Sequence, residues 1–212
     1  MTPWTPILFD MDGTLVDSAP AISARLRETL EHFGVTPPNE AGIRLLIGPP
    51  TGSSLLTFVG PERISEANAF YKALSKRDGL IHQELFPEVD RLLATLVEAG
   101  IPLGVSTSKP QREAVHTAEH FGIAQYFTAL VGSSSKRPTK SDVVGETLAQ
   151  LQAIAHSPTP LMIGDRSFDI EGAAEHNVPT VLVRWGYAAP GEELAALAGV
   201  DTIDELLAFV LG

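Results

Sequence analysis

The spacing of apolar and polar residues changes along the chain and predicts its elements. Ile7-Leu8-Phe9 is a short apolar run, read as a buried strand. The pattern then turns helical: Ile22, Leu26, Leu30 and Phe33 recur at steps of four, four and three and define one apolar face, with Gly34 suited to cap its end. Residues 40–47, 53–58 and 61–79 read as further helices, broken by Gly48-Pro49-Pro50 and Gly60-Pro61, and no strand is expected between residues 15 and 85. From Phe86 onward helices and strands alternate: helix 88–99, strand 102–106, helix 111–121, strand 128–131, helix 140–153, strand 161–163, helix 168–176, strand 180–183, and a helical C-terminus over 192–211.

That alternation predicts an α/β fold, a parallel sheet covered by helices on both faces. The helical stretch after the first strand reads as an insertion. The expected organisation is a core of residues 1–14 and 86–212 with an all-helical cap, residues 15–85, over the open end of the sheet.

Composition narrows the partners. The chain has 212 residues, 44% of them hydrophobic, which suits a packed globular protein with one core and a small insertion. A net charge of -11 argues against nonspecific binding to nucleic acid polymers or to anionic membrane, both of which need a basic footprint. A small anionic substrate stays open, because a bound metal and a few lysines override the overall charge. The chain has no cysteine, which excludes thiol chemistry. Neither a leader pattern at residues 1–6 nor an apolar run of bilayer length is read, so the expected address is the cytoplasm, and the expected state a monomer or homodimer.

Candidate chemistry sits where apolar strands end, the edge at which open α/β sheets bind ligands. Asp10 and Asp12 follow the first strand in Asp10-Met11-Asp12-Gly13-Thr14, two carboxylates followed by a glycine and a hydroxyl, a suitable set for moving a phosphoryl group with a divalent metal. Ser106-Thr107-Ser108-Lys109-Pro110 follows the second strand of the core. Lys140 opens a helix after the polar loop 133–139 and is preferred on that ground over Lys136. Gly164-Asp165-Arg166-Ser167-Phe168-Asp169 follows a further strand.

In order and separation these four segments resemble the haloacid dehalogenase superfamily, and more closely its phosphoglycolate phosphatase-like members. The resemblance spans nearly the whole chain. It implies a Rossmann-like core and hydrolysis of a small phosphorylated metabolite through an aspartyl-phosphate on Asp10. It also implies Asp12 as general acid and then base, with Thr107 and the Ser108 N–H holding phosphate oxygens and Lys140 neutralising charge. Mg²⁺ would be held by Asp10, the Asp12 carbonyl and Asp165, with Asp169 close by or acting through water. In the cap, Gly48-Pro49 resembles a loop lowered over the active site, though the residues read equally as a helix-breaking turn. Trp185-Gly186-Tyr187 resembles a nucleotidase-like subgroup, while the rings themselves read as packing at the sheet rim. Sugar phosphomutase activity, or a catalytically idle binding module, are the alternatives on the same fold. Lys109 reads as a solvated lysine, and His116 with His120 as part of a solvated helix, since no third metal ligand joins them.

Overall fold

The structure is a computed structural model that describes residues 3–152 and 159–212. It divides into two compact units, Met1–Val16 with Leu85–Gly212, and Asp17–Glu84.

In chain order the elements are β1 (Ile7–Phe9), β2 (Val16–Asp17), α1 (Ala19–His32), α2 (Glu40–Arg44), α3 (Thr51–Val59), α4 (Ile64–Asp78), β3 (Glu84–Leu85), α5 (Val89–Glu98) and β4 (Leu103–Pro110). Then come α6 (Gln111–His120), β5 (Ala129–Ser133), α7 (Lys140–Gln152), β6 (Leu161–Gly164), α8 (Ser167–Ala174), β7 (Thr180–Val183), β8 (Ala198–Val200) and α9 (Ile203–Leu211). The end expected for helix 140–153 lies outside the described residues.

The first unit is built on a six-stranded parallel sheet of order β5-β4-β1-β6-β7-β8. β1 is buried on both faces. Ile7 and Phe9 join the apolar cluster with Leu92, Leu96, Ala114 and Leu206, while Leu8 points into the opposite cluster with Val144, Leu148 and Met162. An unbroken apolar run is what a strand covered on both sides requires. The chain leaves β1 to build β4 and β5 on one side, then crosses to β6 on the other. This puts the topological switch at the C-terminal ends of β1 and β6, where such sheets open a crevice.

In the second unit α1 packs Leu26, Leu30 and Phe33 with Ile43, Leu55 and Tyr71, the face that the helical spacing marks out. Gly34 sits at φ +72° past the helix end, and the Val35 N–H closes back on the Leu30 carbonyl at 2.9 Å.

Two expectations are corrected. Short strands do occur between residues 15 and 85: β2 and β3 pair in a two-residue ladder, too short for any side-chain period to announce. The C-terminal stretch is not one helix. A short 3₁₀ turn, Glu192–Ala195, leads into β8, which pairs parallel to β7, and Thr202 then caps α9 by accepting from the Glu205 N–H. Alanine-rich sequence favours helix locally, but the free edge of β7 captures Ala198–Val200 as a sixth strand.

Candidate active site

Asp10 and Asp165 sit just past a strand and Lys140 opens a helix, whereas Thr107 and Ser108 lie within β4, which runs on to Pro110 beyond the strand 102–106 expected from sequence. Asp10 extends β1 by one residue, its N–H donating to the Ile163 carbonyl of β6 at 2.9 Å. Lys140 is the first residue of α7 because Thr139 and Asp142 cap that helix reciprocally. Thr139 N–H and Oγ1–H donate to Asp142 Oδ2 at 3.0 and 2.6 Å, and Asp142 N–H donates to Thr139 Oγ1 at 3.1 Å. Asp169 caps α8 by accepting from the N–H groups of Asp165 and Arg166 at 3.1 and 3.0 Å.

The result is a buried charge cluster. Lys140 Nζ lies 2.8 Å from Asp10 Oδ1 and 2.6 Å from Asp169 Oδ1. Carboxylate oxygens of Asp10, Asp165 and Asp169 lie within 4.8 Å of one another. Asp10 is 6% exposed, Asp165 0% and Asp169 1%. Three carboxylates thus face one ammonium, a formal balance of minus two among largely buried groups. Burial pushes the Asp10 carboxyl up to about 6 against the pull of Lys140, with the charge of Asp169 adding to the rise. Burial, with Asp169 and Asp10 nearby, holds the Asp165 carboxyl well above its ordinary range. Burial works against the charge on Lys140, but Asp10 and Asp169 more than offset it and hold the ammonium charged. An all-oxygen donor set with this surplus of negative charge fits a hard divalent cation. Asp10, Asp165 and Asp169 are the residues of this cluster that could hold it.

Glycines make the room. A Cβ on Gly13, whose φ is +87°, would meet Asp165 Oδ2 at 2.2 Å, and one on Gly164 would meet the Asp169 carboxyl carbon at 2.3 Å. Behind the cluster, Tyr187 N–H donates to Asp165 Oδ2 at 2.8 Å and Trp185 Nε1–H to the Thr14 carbonyl at 3.1 Å. Trp185 and Tyr187 therefore do pack at the sheet rim, and the Tyr187 backbone also orients a site carboxylate, a contact that no side-chain pattern announces.

Thr107 is buried and accepts from the Lys109 N–H at 3.2 Å, and the Ser108 carbonyl accepts from Ser133 Oγ at 2.8 Å. Asp12 stands apart from the carboxylate cluster and pairs with Lys109, Nζ to Oδ1 at 3.0 Å. This corrects the reading of Lys109 as a solvated lysine. Lys136 is exposed, as its place in a polar loop implies. Gly48 and Pro49 belong to the second unit, in the turn between Ile47 and α3, with Gly48 at φ +118°. Among the described residues no helix is long and apolar enough to cross a membrane.

A parallel sheet with this switch point and an acidic crevice at the ends of β1 and β6 defines an α/β protein with a ligand site at its sheet edge. The chain belongs to the haloacid dehalogenase-like hydrolase family, whose pattern it matches over residues 7–183. It is 37% identical over 206 residues to tyrosine-protein kinase PtkA of Mycobacterium tuberculosis, covering 94% of this chain and 70% of that one. The solved PtkA structure superposes with a TM-score of 0.83 at 36% identity, covering 98% and 99% of the two chains. A 5'-nucleotidase of Pseudomonas aeruginosa is 33% identical over 191 residues, 88% of this chain and 85% of the relative. A phosphoglycolate phosphatase of Rhodobacter capsulatus is 30% identical over 210 residues, 92% and 95% of the two.

Proposed function

We propose that this protein is a Mg²⁺-dependent phosphatase acting on a small phosphate monoester, with Asp10 as nucleophile. The observation that carries the reading is the buried cluster of Asp10, Asp165 and Asp169 around Lys140. Relatives named phosphoglycolate phosphatase and 5'-nucleotidase support the substrate class, a phosphorylated metabolite of the size of phosphoglycolate or a nucleoside monophosphate.

Asp10 Oδ attacks phosphorus as the bond to the ester oxygen breaks, and Asp12 gives that oxygen a proton so that the alcohol leaves neutral. Asp12 then takes a proton from the water that attacks the aspartyl-phosphate, releasing phosphate and restoring Asp10. Lys140 offsets the charge brought together when a carboxylate meets a phosphate dianion. Thr107 and the Ser108 N–H orient the phosphate oxygens. Asp10, the Asp12 carbonyl and Asp165, with Asp169 close by, would hold Mg²⁺, which would supply positive charge to the transferring group. The helical second unit, Asp17–Glu84, carries the Gly48-Pro49 turn.

The name of the mycobacterial relative favours a second reading, transfer of the phosphoryl group to a protein tyrosine. One experiment separates the two. Phosphate release is measured on a panel of phosphate monoesters with Mg²⁺ and with chelator, beside protein labelling from γ-labelled ATP. The phosphatase reading expects metal-dependent release, abolished in D10N. Undiminished release in D10N would overturn the role of Asp10, and labelling of tyrosine without ester hydrolysis would favour the second reading.

A further inference from the structure

Lys109 is a cation beside this site that the chemistry above leaves unused. Its side chain is 9% exposed and its Nζ lies 3.0 Å from Oδ1 of Asp12, itself 15% exposed. The backbone explains the aim. Between β4 and β5 the pairing runs Thr107 to Gly132 and then Pro110 to Ser133, so β4 gains two residues where β5 advances by one. Such a bulge re-aims the side chains it carries. It is pinned on three sides: the Lys109 N–H donates to Thr107 Oγ1 at 3.2 Å, Ser133 Oγ–H donates to the Ser108 carbonyl at 2.8 Å, and Gly132 leaves space that a Cβ would take 2.6 Å from the Lys109 carbonyl. The same bulge that presents Thr107 and Ser108 therefore turns Lys109 toward Asp12.

We propose that Lys109 is a positioning residue for Asp12, holding its carboxyl group in the orientation from which it serves the leaving oxygen. The inference rests on the phosphatase reading. An acid–base group fixed by a short ion pair reaches its reactive geometry without a search among rotamers, and correct placement is what a positioning residue supplies.

The test uses the full chain with Mg²⁺ and two substrates, p-nitrophenyl phosphate, whose leaving group needs little proton donation, and the alkyl phosphate of the panel turned over fastest. K109M is expected to lower kcat/KM about 10²-fold on the alkyl ester and less than about fivefold on the nitrophenyl ester, with KM nearly unchanged. K109R should recover part of the loss. In a D12N background, K109M should add less than about twofold, because a residue acting through Asp12 has nothing left to act on. K109Q, which keeps a donor, reads the same comparison should K109M melt early. Equal losses on both esters, or a full K109M loss persisting in D12N, would overturn the inference and leave the phosphatase reading standing. Wild-type protein that releases phosphate from neither ester would sink both.

Discussion

A single methyl group at position 186 tests how closely the proposed metal site is packed. A Cβ built on Gly186 meets the Gly13 carbonyl oxygen at 2.3 Å, Asp165 Cβ at 2.4 Å and Asp165 Oδ2 at 2.7 Å. Carbon atoms rest at about 3.5 Å or more, so in G186A the segment 185–187 must retreat by about 1 Å. Two hydrogen bonds travel with that segment, Tyr187 N–H to Asp165 Oδ2 and Trp185 Nε1–H to the Thr14 carbonyl. Overpacking of this kind costs about 1–3 kcal/mol, and weakening two hydrogen bonds adds about 1 kcal/mol, for a total of about 2–4 kcal/mol. A 1 Å displacement of a site carboxylate lowers turnover about 10²-fold.

Urea unfolding and ester turnover across a Mg²⁺ titration measure the two effects on one preparation. G52A is the control. The same substitution in the first turn of α3 meets only the Asn68 side chain, at 3.2 Å, and should leave stability within about 0.5 kcal/mol of wild type. A G186A protein as stable as G52A, with wild-type turnover and Mg²⁺ dependence, would refute the packing argument.

Two further substitutions probe charges around the site. Asp165 is held uncharged-leaning by burial beside Asp169 and Asp10, so its negative charge opposes folding when no cation is bound. D165N should raise the melting temperature in chelator and lose the stabilisation expected of wild type on adding Mg²⁺; a lower melting temperature in chelator would contradict this. Arg166 is buried and forks onto Glu192 at 2.9 and 3.0 Å, and although burial opposes its charge, Glu192 is held below its ordinary 4.5 by that partner. A depressed carboxyl contributes stability above its unfolded pKa and loses it as pH falls through the folded one. E192Q should therefore cost about 1–3 kcal/mol at neutral pH in urea unfolding and flatten the acid loss below about pH 4.5, and an unchanged midpoint would refute it.

What the sequence made legible follows from how far each signal reaches. β1 and β6 announce themselves because a strand covered on both faces must be apolar throughout, and Ile7-Leu8-Phe9 and Leu161-Met162-Ile163 are. Asp10 and Asp165 lie one step beyond β1 and β6, and Lys140 opens α7, so each candidate stands at an element boundary that the sequence marks. The capping pair Thr139 and Asp142 was a further signal in plain view, and it strengthens the choice of Lys140 over Lys136. β8 was hidden because its three residues, Ala198-Gly199-Val200, have no strand preference apart from the edge of β7 they pair with.

Lys109 was misread for a deeper reason. Taken alone, a lysine at a strand exit next to proline is most economically a solvated side chain. Its actual direction depends on a bulge, the bulge on the unequal advance of β4 and β5, and the close approach there on Gly132, 23 residues further along the chain. Gly13 and Gly186 obey the same logic: neither carries chemistry, yet each is defined by Asp165, contributed from a distant segment. Residues that perform a reaction sit on elements that local sequence specifies, whereas residues that hold those groups in position are specified by pairings between distant segments. The charged cluster around Asp10 could therefore be read from one dimension, and the cation facing Asp12 needed three.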